Sequence, residues 1–251
     1  MIEFQTTYYS AAVGLQLGAR ILVPESGPSS KRTLYLLHGL SDDHSIWHRR
    51  SSVERYVETC DLVVVMPNGG RGFYTDAEHG ARWGEAIGPE LISKVESWFN
   101  VSPKMPDRYI AGLSMGGYGA FRLALSNPGT YGHAASMSGA LMIGSQPVDN
   151  PLRSPDVEAE IRRIFGTNPL GSRHDLLSLA AKCNASNQLP KLWMDCGTAD
   201  FLFEDNQNFY KYLMQMGLPI AYQVGDGSHD WEYWNRLLPC VLRWMGFTPA
   251  A

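Results

Sequence analysis

The sequence shows little of what marks a membrane-spanning or nucleic-acid-binding chain, and its first residues do not read as an export signal. Its 21 basic and 25 acidic residues leave a formal net charge of -4. No basic stripe runs through them, so nucleic-acid binding has no electrostatic footprint to start from. No apolar run approaches the ~20 residues that a bilayer-spanning helix needs. The N-terminus, Met1-Ile2-Glu3-Phe4-Gln5, has neither the cationic nor the apolar segment of a secretory signal, and the expectation is a cytoplasmic chain. The four cysteines, Cys60, Cys183, Cys196 and Cys240, are scattered and form no C-x-x-C pair. They read as small core residues of a reduced protein, not as a disulfide framework. Internal repeats and low-complexity tracts are absent.

What is present is alternation. At 251 residues the chain suits one α/β domain, 1–251, with a large core. Apolar runs alternate with amphipathic ones, which implies a mostly parallel central sheet flanked by helices. Strands are expected at Gln16–Val23, Thr33–Leu37, Leu62–Met66, Arg108–Leu113, His133–Met137, Lys191–Cys196 and Ile220–Val224. Helices are expected at Ser51–Thr59, Gly84–Phe99, Met115–Ser126, Phe203–Met216 and Trp231–Met245. From Gly139 to Asn187 no strong strand appears, and Pro147, Pro151, Pro155 and Pro169 interrupt the run. Short helices, Asp156–Phe165 and His174–Lys182, fit there best. The segment 139–187 therefore reads as a small cap-like insertion that leaves the sheet and lies over the site.

One turn concentrates the chemistry. Gly112-Leu113-Ser114-Met115-Gly116 stands between a buried strand and a helix start. A G-x-S-x-G in that context is the nucleophile elbow of α/β-hydrolases. The turn is so sharp that the serine is strained, and the glycines on either side prevent collisions. A serine hydroxyl needs a base, and the base needs a carboxylate to hold its tautomer. In this fold the order along the chain is Ser, then Asp or Glu, then His. Of the seven histidines, only His174 and His229 follow Ser114 with room for an acid between. His229 lies in the loop Gly225-Asp226-Gly227-Ser228-His229-Asp230-Trp231, after the last strand and before a terminal helix. That is where the fold presents its base. His174 begins a helix in the cap, where a surface role is expected.

Asp200, in Gly197-Thr198-Ala199-Asp200-Phe201, stands on the loop at a strand's carboxyl end, where such folds place functional groups. It is the acid of choice over an N-cap role, with Asp195, inside the strand, as the fallback. Negative charge on the carbonyl oxygen needs preorganised donors. Met115 N–H supplies one, and Leu40 N–H, in Leu37-His38-Gly39-Leu40-Ser41-Asp42, is the natural second. His38 precedes the nucleophile and reads as structural. Asp42, Asp43, His44 and His48 match no metal-ligand spacing and read as a solvated helix start. Asn68-Gly69-Gly70-Arg71-Gly72 lacks the register and the lysine of a phosphate loop and reads as a pocket rim. Trp83, Trp231 and Trp234 line the site or simply fill core. No metal and no organic cofactor is called for.

Several of these motifs together are similar to the esterase D family. They are Leu36-Leu37-His38-Gly39-Leu40-Ser41, Val65-Met66-Pro67-Asn68, Ala111-Gly112-Leu113-Ser114-Met115-Gly116-Gly117-Tyr118-Gly119, Ser136-Met137-Ser138-Gly139, Cys196-Gly197-Thr198-Ala199-Asp200-Phe201-Leu202 and Gly227-Ser228-His229-Asp230-Trp231. More narrowly they resemble its tributyrin esterase group of small bacterial carboxylesterases. The resemblance covers nearly the whole chain. It implies an α/β-hydrolase fold, Ser114, Asp200 and His229 as triad, and Leu40 and Met115 as oxyanion donors. It also implies hydrolysis of short-chain acyl esters, a small-molecule ester as partner, and a homo-oligomer, since relatives often associate. S-formylglutathione hydrolases, feruloyl and acetyl-sugar esterases and secreted mycolyltransferases are relatives. A thioesterase of the first kind is the alternative within acyl transfer. A catalytically idle fold used for binding and a serine peptidase are the alternatives outside it.

Overall fold

The computed structural model describes residues 1–25, 27, 32–146 and 154–250. Its strands are β1 (Ile2–Ser10), β2 (Leu15–Val23), β3 (Arg32–Leu37), β4 (Leu62–Pro67), β5 (Arg108–Leu113), β6 (His133–Met137), β7 (Lys191–Gly197) and β8 (Ala221–Gly225). They form one 8-stranded sheet in the order β1-β2-β4-β3-β5-β6-β7-β8. β1 pairs with β2, and β2 with β4, in antiparallel fashion. From β4 through β8 every pairing is parallel. This is the α/β-hydrolase architecture, mostly parallel and covered by helices on both faces.

Strand sequence and burial agree. Every residue of β4 and β5 is buried, as expected of strands with a layer on each side. Within β3 the two-residue period splits the side chains between two cores. Tyr35 and Leu37 join the core with helical residues such as Tyr118 and Phe121. Leu34 and Leu36 join the other, with Trp47, Leu238 and Leu242. β1 was not expected. Its Ile2 and Phe4 are 43% and 42% exposed, and it pairs only with β2. As an edge strand it carries no apolar face strong enough to read.

The helices are α1 (Ile46–Arg50), α2 (Val53–Val57), α3 (Trp83–Glu85), α4 (Leu91–Phe99), α5 (Met115–Ser126), α6 (Pro155–Phe165), α7 (Leu176–Ala185), α8 (Phe203–Gln215) and α9 (Trp231–Trp244). The expected single helix over 84–99 is interrupted between α3 and α4. A π-type turn occupies Ala86–Glu90, with Gly88 at φ -83° and ψ -108°. Pro89 brings no N–H to that turn, which favours the break. The expected helix over 51–59 is shorter as well, with α1 added before it. Between β6 and β7 the chain carries α6, α7 and no strand among the described residues. Ile161, Phe165, Leu176 and Ala180 from these two helices enter the same core as α5. Residues 147–153 of that stretch, including Pro147 and Pro151, lie outside the described residues.

Candidate active site

The chain reverses at the end of β5. Ser114 has φ 52° and ψ -117°, a region L-residues occupy only when their surroundings enforce it. Its N–H donates to Met137 O at 2.9 Å, and its carbonyl accepts from Gly117, Tyr118 and Ala140 N–H at 3.0, 3.2 and 3.1 Å. The flanking glycines are a steric necessity. A Cβ on Gly116 would stand 2.6 Å from the carbonyl oxygens of both Leu37 and His38, and one on Gly112 would run into Gly116 O. α5 therefore lies directly on β3 and β5, and the turn presents Ser114 Oγ above the sheet.

The loop after β8 brings His229 to that hydroxyl, with Nε2 3.0 Å from Ser114 Oγ. On its other side Nδ1 donates to Asp200, 3.0 Å from Oδ1 and 2.9 Å from Oδ2. The two loops are bound to each other through Thr198 N–H on Gly225 O (3.0 Å) and Ala199 N–H on Gly227 O (2.9 Å). Asp230 then caps α9, its carboxylate accepting from Tyr233 N–H at 2.9 Å, which fixes the chain just past His229. Asp200 is 5% exposed. Burial alone would raise its pKa, but hydrogen bonds from His229 and from Leu202 N–H outweigh burial and hold it below the ordinary carboxylate value. An ionised carboxylate under the imidazole fixes the Nδ1–H tautomer and leaves Nε2 free to accept the serine proton.

Behind the serine, His38 is a strut. Its Nδ1–H donates to Gly39 O at 2.7 Å and its Nε2 accepts from Gly69 N–H at 2.9 Å. Burial pushes its pKa down to about 4, so the ring stays neutral and ties the 39–42 turn to the 68–72 loop. A Cβ on Gly39 would lie 3.6 Å from Ser114 Cβ, so this turn runs beside the nucleophile. Among the described residues, neither Leu40 N–H nor Met115 N–H has an acceptor within the chain. Met115 N–H, next to Ser114 in the chain, and Leu40 N–H, in the turn whose Gly39 runs beside Ser114, are thus uncommitted donors.

The other candidates disperse. Asp43 accepts from the backbone and hydroxyl of Ser45 at 2.8 and 2.6 Å, His44 packs on Gly18, and His48 lies 3.7 Å from Glu3. Among the described residues no group of three or more His, Cys, Asp or Glu is placed to hold a metal ion. Arg71, in the 68–72 loop, grips Glu160 of α6 through Nε (2.9 Å) and Nη2 (2.6 Å) and reaches Ser41 Oγ at 3.1 Å. With Trp83, Arg163 and Ile164 it lines a cavity of about 310 Å³. His174 corrects the surface expectation. It is fully buried, bonded to Thr75 Oγ1 at 3.0 Å and Glu78 Oε1 at 3.1 Å, and α7 starts only at Leu176, capped by Asp175. Asp195 is buried and accepts from Tyr233 O–H, with no contact to a histidine among its hydrogen bonds.

Two participants, Ser138 and Phe201, were not legible beforehand, and a third, Trp234, was expected either at the site or in plain core. Ser138, buried at φ 48°, accepts from Trp234 Nε1–H at 3.1 Å, and its hydroxyl helps hold Asp200 ionised. Trp234 meets the His229 ring edge-on at 4.9 Å between centroids. Phe201 lies on the same ring at 4.4 Å. Ser138 and Phe201 stand at strand ends, where function concentrates, but only the tertiary structure aims them.

Residues 10–245 match the model of the Esterase family, described as "Putative esterase". The chain is 29% identical over 261 residues to an acetyl esterase of Caldicellulosiruptor saccharolyticus, covering 98% of each chain. It superposes on a substrate-bound fluorophosphonate-binding serine hydrolase of Staphylococcus aureus with a TM-score of 0.85 at 30% identity, covering 97% of this chain and 98% of that one. An S-formylglutathione hydrolase from Staphylococcus aureus gives the same TM-score, 0.85, at 31% identity, with 97% and 98% coverage.

Proposed function

The chain belongs to the Esterase family and is a carboxylic ester hydrolase, and from that premise we propose a serine carboxylesterase that cleaves short acyl esters, acetyl to butyryl, through an acyl-enzyme on Ser114. The observation that carries the reading is the continuous hydrogen-bonded line from Asp200 through His229 Nδ1 and Nε2 to Ser114 Oγ. Similarity to an acetyl esterase over 98% of both chains supports the short acyl group. The motifs quoted above support a place among the tributyrin-esterase-like members. The reading takes 1–251 as one hydrolase domain, with 139–187 an excursion beside the site.

In this mechanism Ser114 Oγ forms the bond to the ester carbonyl carbon while His229 Nε2 takes the hydroxyl proton. The carbonyl electron pair moves onto oxygen, where Leu40 and Met115 N–H donate to it; each such donor is worth about 10²–10³ in rate. As the pair returns, the bond to the alkoxy oxygen breaks, and His229 delivers its proton to the departing alcohol. Water then repeats the sequence on the acyl-enzyme, with His229 as base, and releases the acid. Asp200 stabilises the imidazolium at each stage and is never itself protonated. The similar S-formylglutathione hydrolase supports a second reading, in which the same steps expel a thiol.

The test is a series of initial rates on p-nitrophenyl acetate, butyrate, octanoate and decanoate, with S-formylglutathione alongside, for wild type and Ser114→Ala. The expected result is a maximum at acetate or butyrate and a loss of about 10⁴-fold or more in the variant. A maximum at decanoate rejects the acyl assignment. A kcat/KM for S-formylglutathione orders of magnitude above the esters selects the thioesterase. Equal rates in both proteins remove Ser114 as nucleophile.

A further inference from the structure

The ring of His229 is flanked by aromatic side chains of opposite character. Trp234 is 5% exposed and anchored to Ser138. Phe201 is 76% exposed, the most exposed of the large apolar side chains among the described residues. Single exposed apolar residues are ordinary. What distinguishes this one is its position, with the ring tilted 48° to the imidazole at 4.4 Å between centroids. Its backbone is fixed by the turn that holds Asp200, where Asp200 N–H donates to Gly197 O (3.1 Å), Phe203 N–H to Asp200 O (3.0 Å) and Leu202 N–H to Asp200 Oδ1 (2.8 Å). The backbone that carries the side chain is thus fixed beside the base, and the ring rests against the imidazole.

Resting on the serine-esterase reading, the next step follows from where the base works. His229 Nε2 must hand its proton to the leaving oxygen, which then lies about 3 Å from that nitrogen. The first carbons of the alcohol consequently pass beside whatever stands against the imidazole. We propose that Phe201 is the specificity-determining wall of the leaving-group subsite and favours esters whose alcohol part is a flat aromatic ring. A planar ring can pack against the open side of the Phe201 side chain and cover apolar surface that water now touches. Aromatic pairs gain beyond simple area burial through offset or edge-on contact. A methyl or ethyl alcohol is too small to reach that face.

The experiment compares phenyl acetate with methyl acetate, which share one acetyl-enzyme and differ only in the alcohol. For wild type, Phe201→Ala, Phe201→Leu and Phe201→Trp, the quantity read is the ratio of kcat/KM for the two esters. The expected result is a fall in that ratio of about 3- to 10-fold in Phe201→Ala. Phe201→Leu falls in the same direction, and Phe201→Trp restores the ratio. Equal losses for both esters, or no change in the ratio, would overturn the subsite. Acetylation of Ser114, read by peptide mass after an acid quench, separates the two levels. If Ser114 is acetylated while the ratio stays constant, only the subsite is wrong. If turnover proceeds with Ser114 unmodified in wild type, the esterase mechanism and the subsite fall together.

Discussion

Asp195 and Asp200 stand close in sequence and opposite in chemistry. Asp195 is 2% exposed, and burial pushes its pKa up to about 6 even though the Tyr233 hydroxyl donates to it. Asp200 is held down by His229 and the Leu202 N–H in spite of its burial. The proposed mechanism needs a permanent anion beneath the imidazole, and only Asp200 has both the contact and the charge. Asp200→Asn keeps the shape but favours the wrong imidazole tautomer, and kcat on p-nitrophenyl acetate is expected to fall about 10⁴-fold. Asp195→Asn retains an acceptor for Tyr233 and is expected to keep kcat within a few-fold of wild type, about 3-fold at most. A reversed pattern in steady-state kinetics would make Asp195 the acid. At this scale much of the site could be read beforehand. Ser114 is announced by its glycines, and His229 and Asp200 by their loops after apolar runs. Ser138, Phe201 and the buried setting of His174 could not be read, because each depends on which distant segment packs against it.

The elbow shows how an element fixes a residue. In an ordinary helix, alanine is favoured over glycine by roughly 0.5–1 kcal/mol. At Gly116 the first turn of α5 meets the carbonyls that end β3, so the added methyl finds backbone 2.6 Å away on two sides. Gly116→Ala is therefore expected to lower the urea unfolding free energy by about 2 kcal/mol or more, an overpacking cost, and to reduce esterase activity with it. An unchanged or higher midpoint would mean that β3 and α5 can separate freely. The same scale explains which elements were legible. β4 and β5 are unbroken apolar runs whose burial leaves no choice of face. β1 has solvent on one edge and mixed side chains, so its identity comes from nine paired residues of β2. The interruption at Gly88-Pro89 occurs where two weak helix formers coincide in an otherwise periodic stretch.

Across the whole molecule, the histidines outside the site set its response to acid. His38, His133 and His174 are each lowered to about 4 from 6.5, burial being the largest cause. Below pH 6.5 the unfolded chain takes up protons that the folded one refuses, so stability is lost as pH falls from 6.5 towards about 4. Asp195 acts in the opposite sense. Its folded pKa of about 6 lies above 3.8, so the folded state binds the extra proton and gains stability as pH falls through that window. Asp42, also raised by burial, acts with Asp195. The three histidines outweigh the two carboxylates, and the unfolding free energy from urea titrations is expected to drop by about 3–4 kcal/mol between pH 7 and pH 5. A flat or rising profile would show that these rings are hydrated in the folded state. Every such contribution leaves the central claim on one atom, Ser114 Oγ. The most direct test mixes wild type with p-nitrophenyl acetate, quenches in acid within one turnover and maps the acetylated peptide by mass spectrometry. The account predicts one acetyl group, on Ser114, formed in step with a burst of p-nitrophenol and absent from Ser114→Ala. Turnover with the acetyl group on another residue, or with none at all, would contradict it.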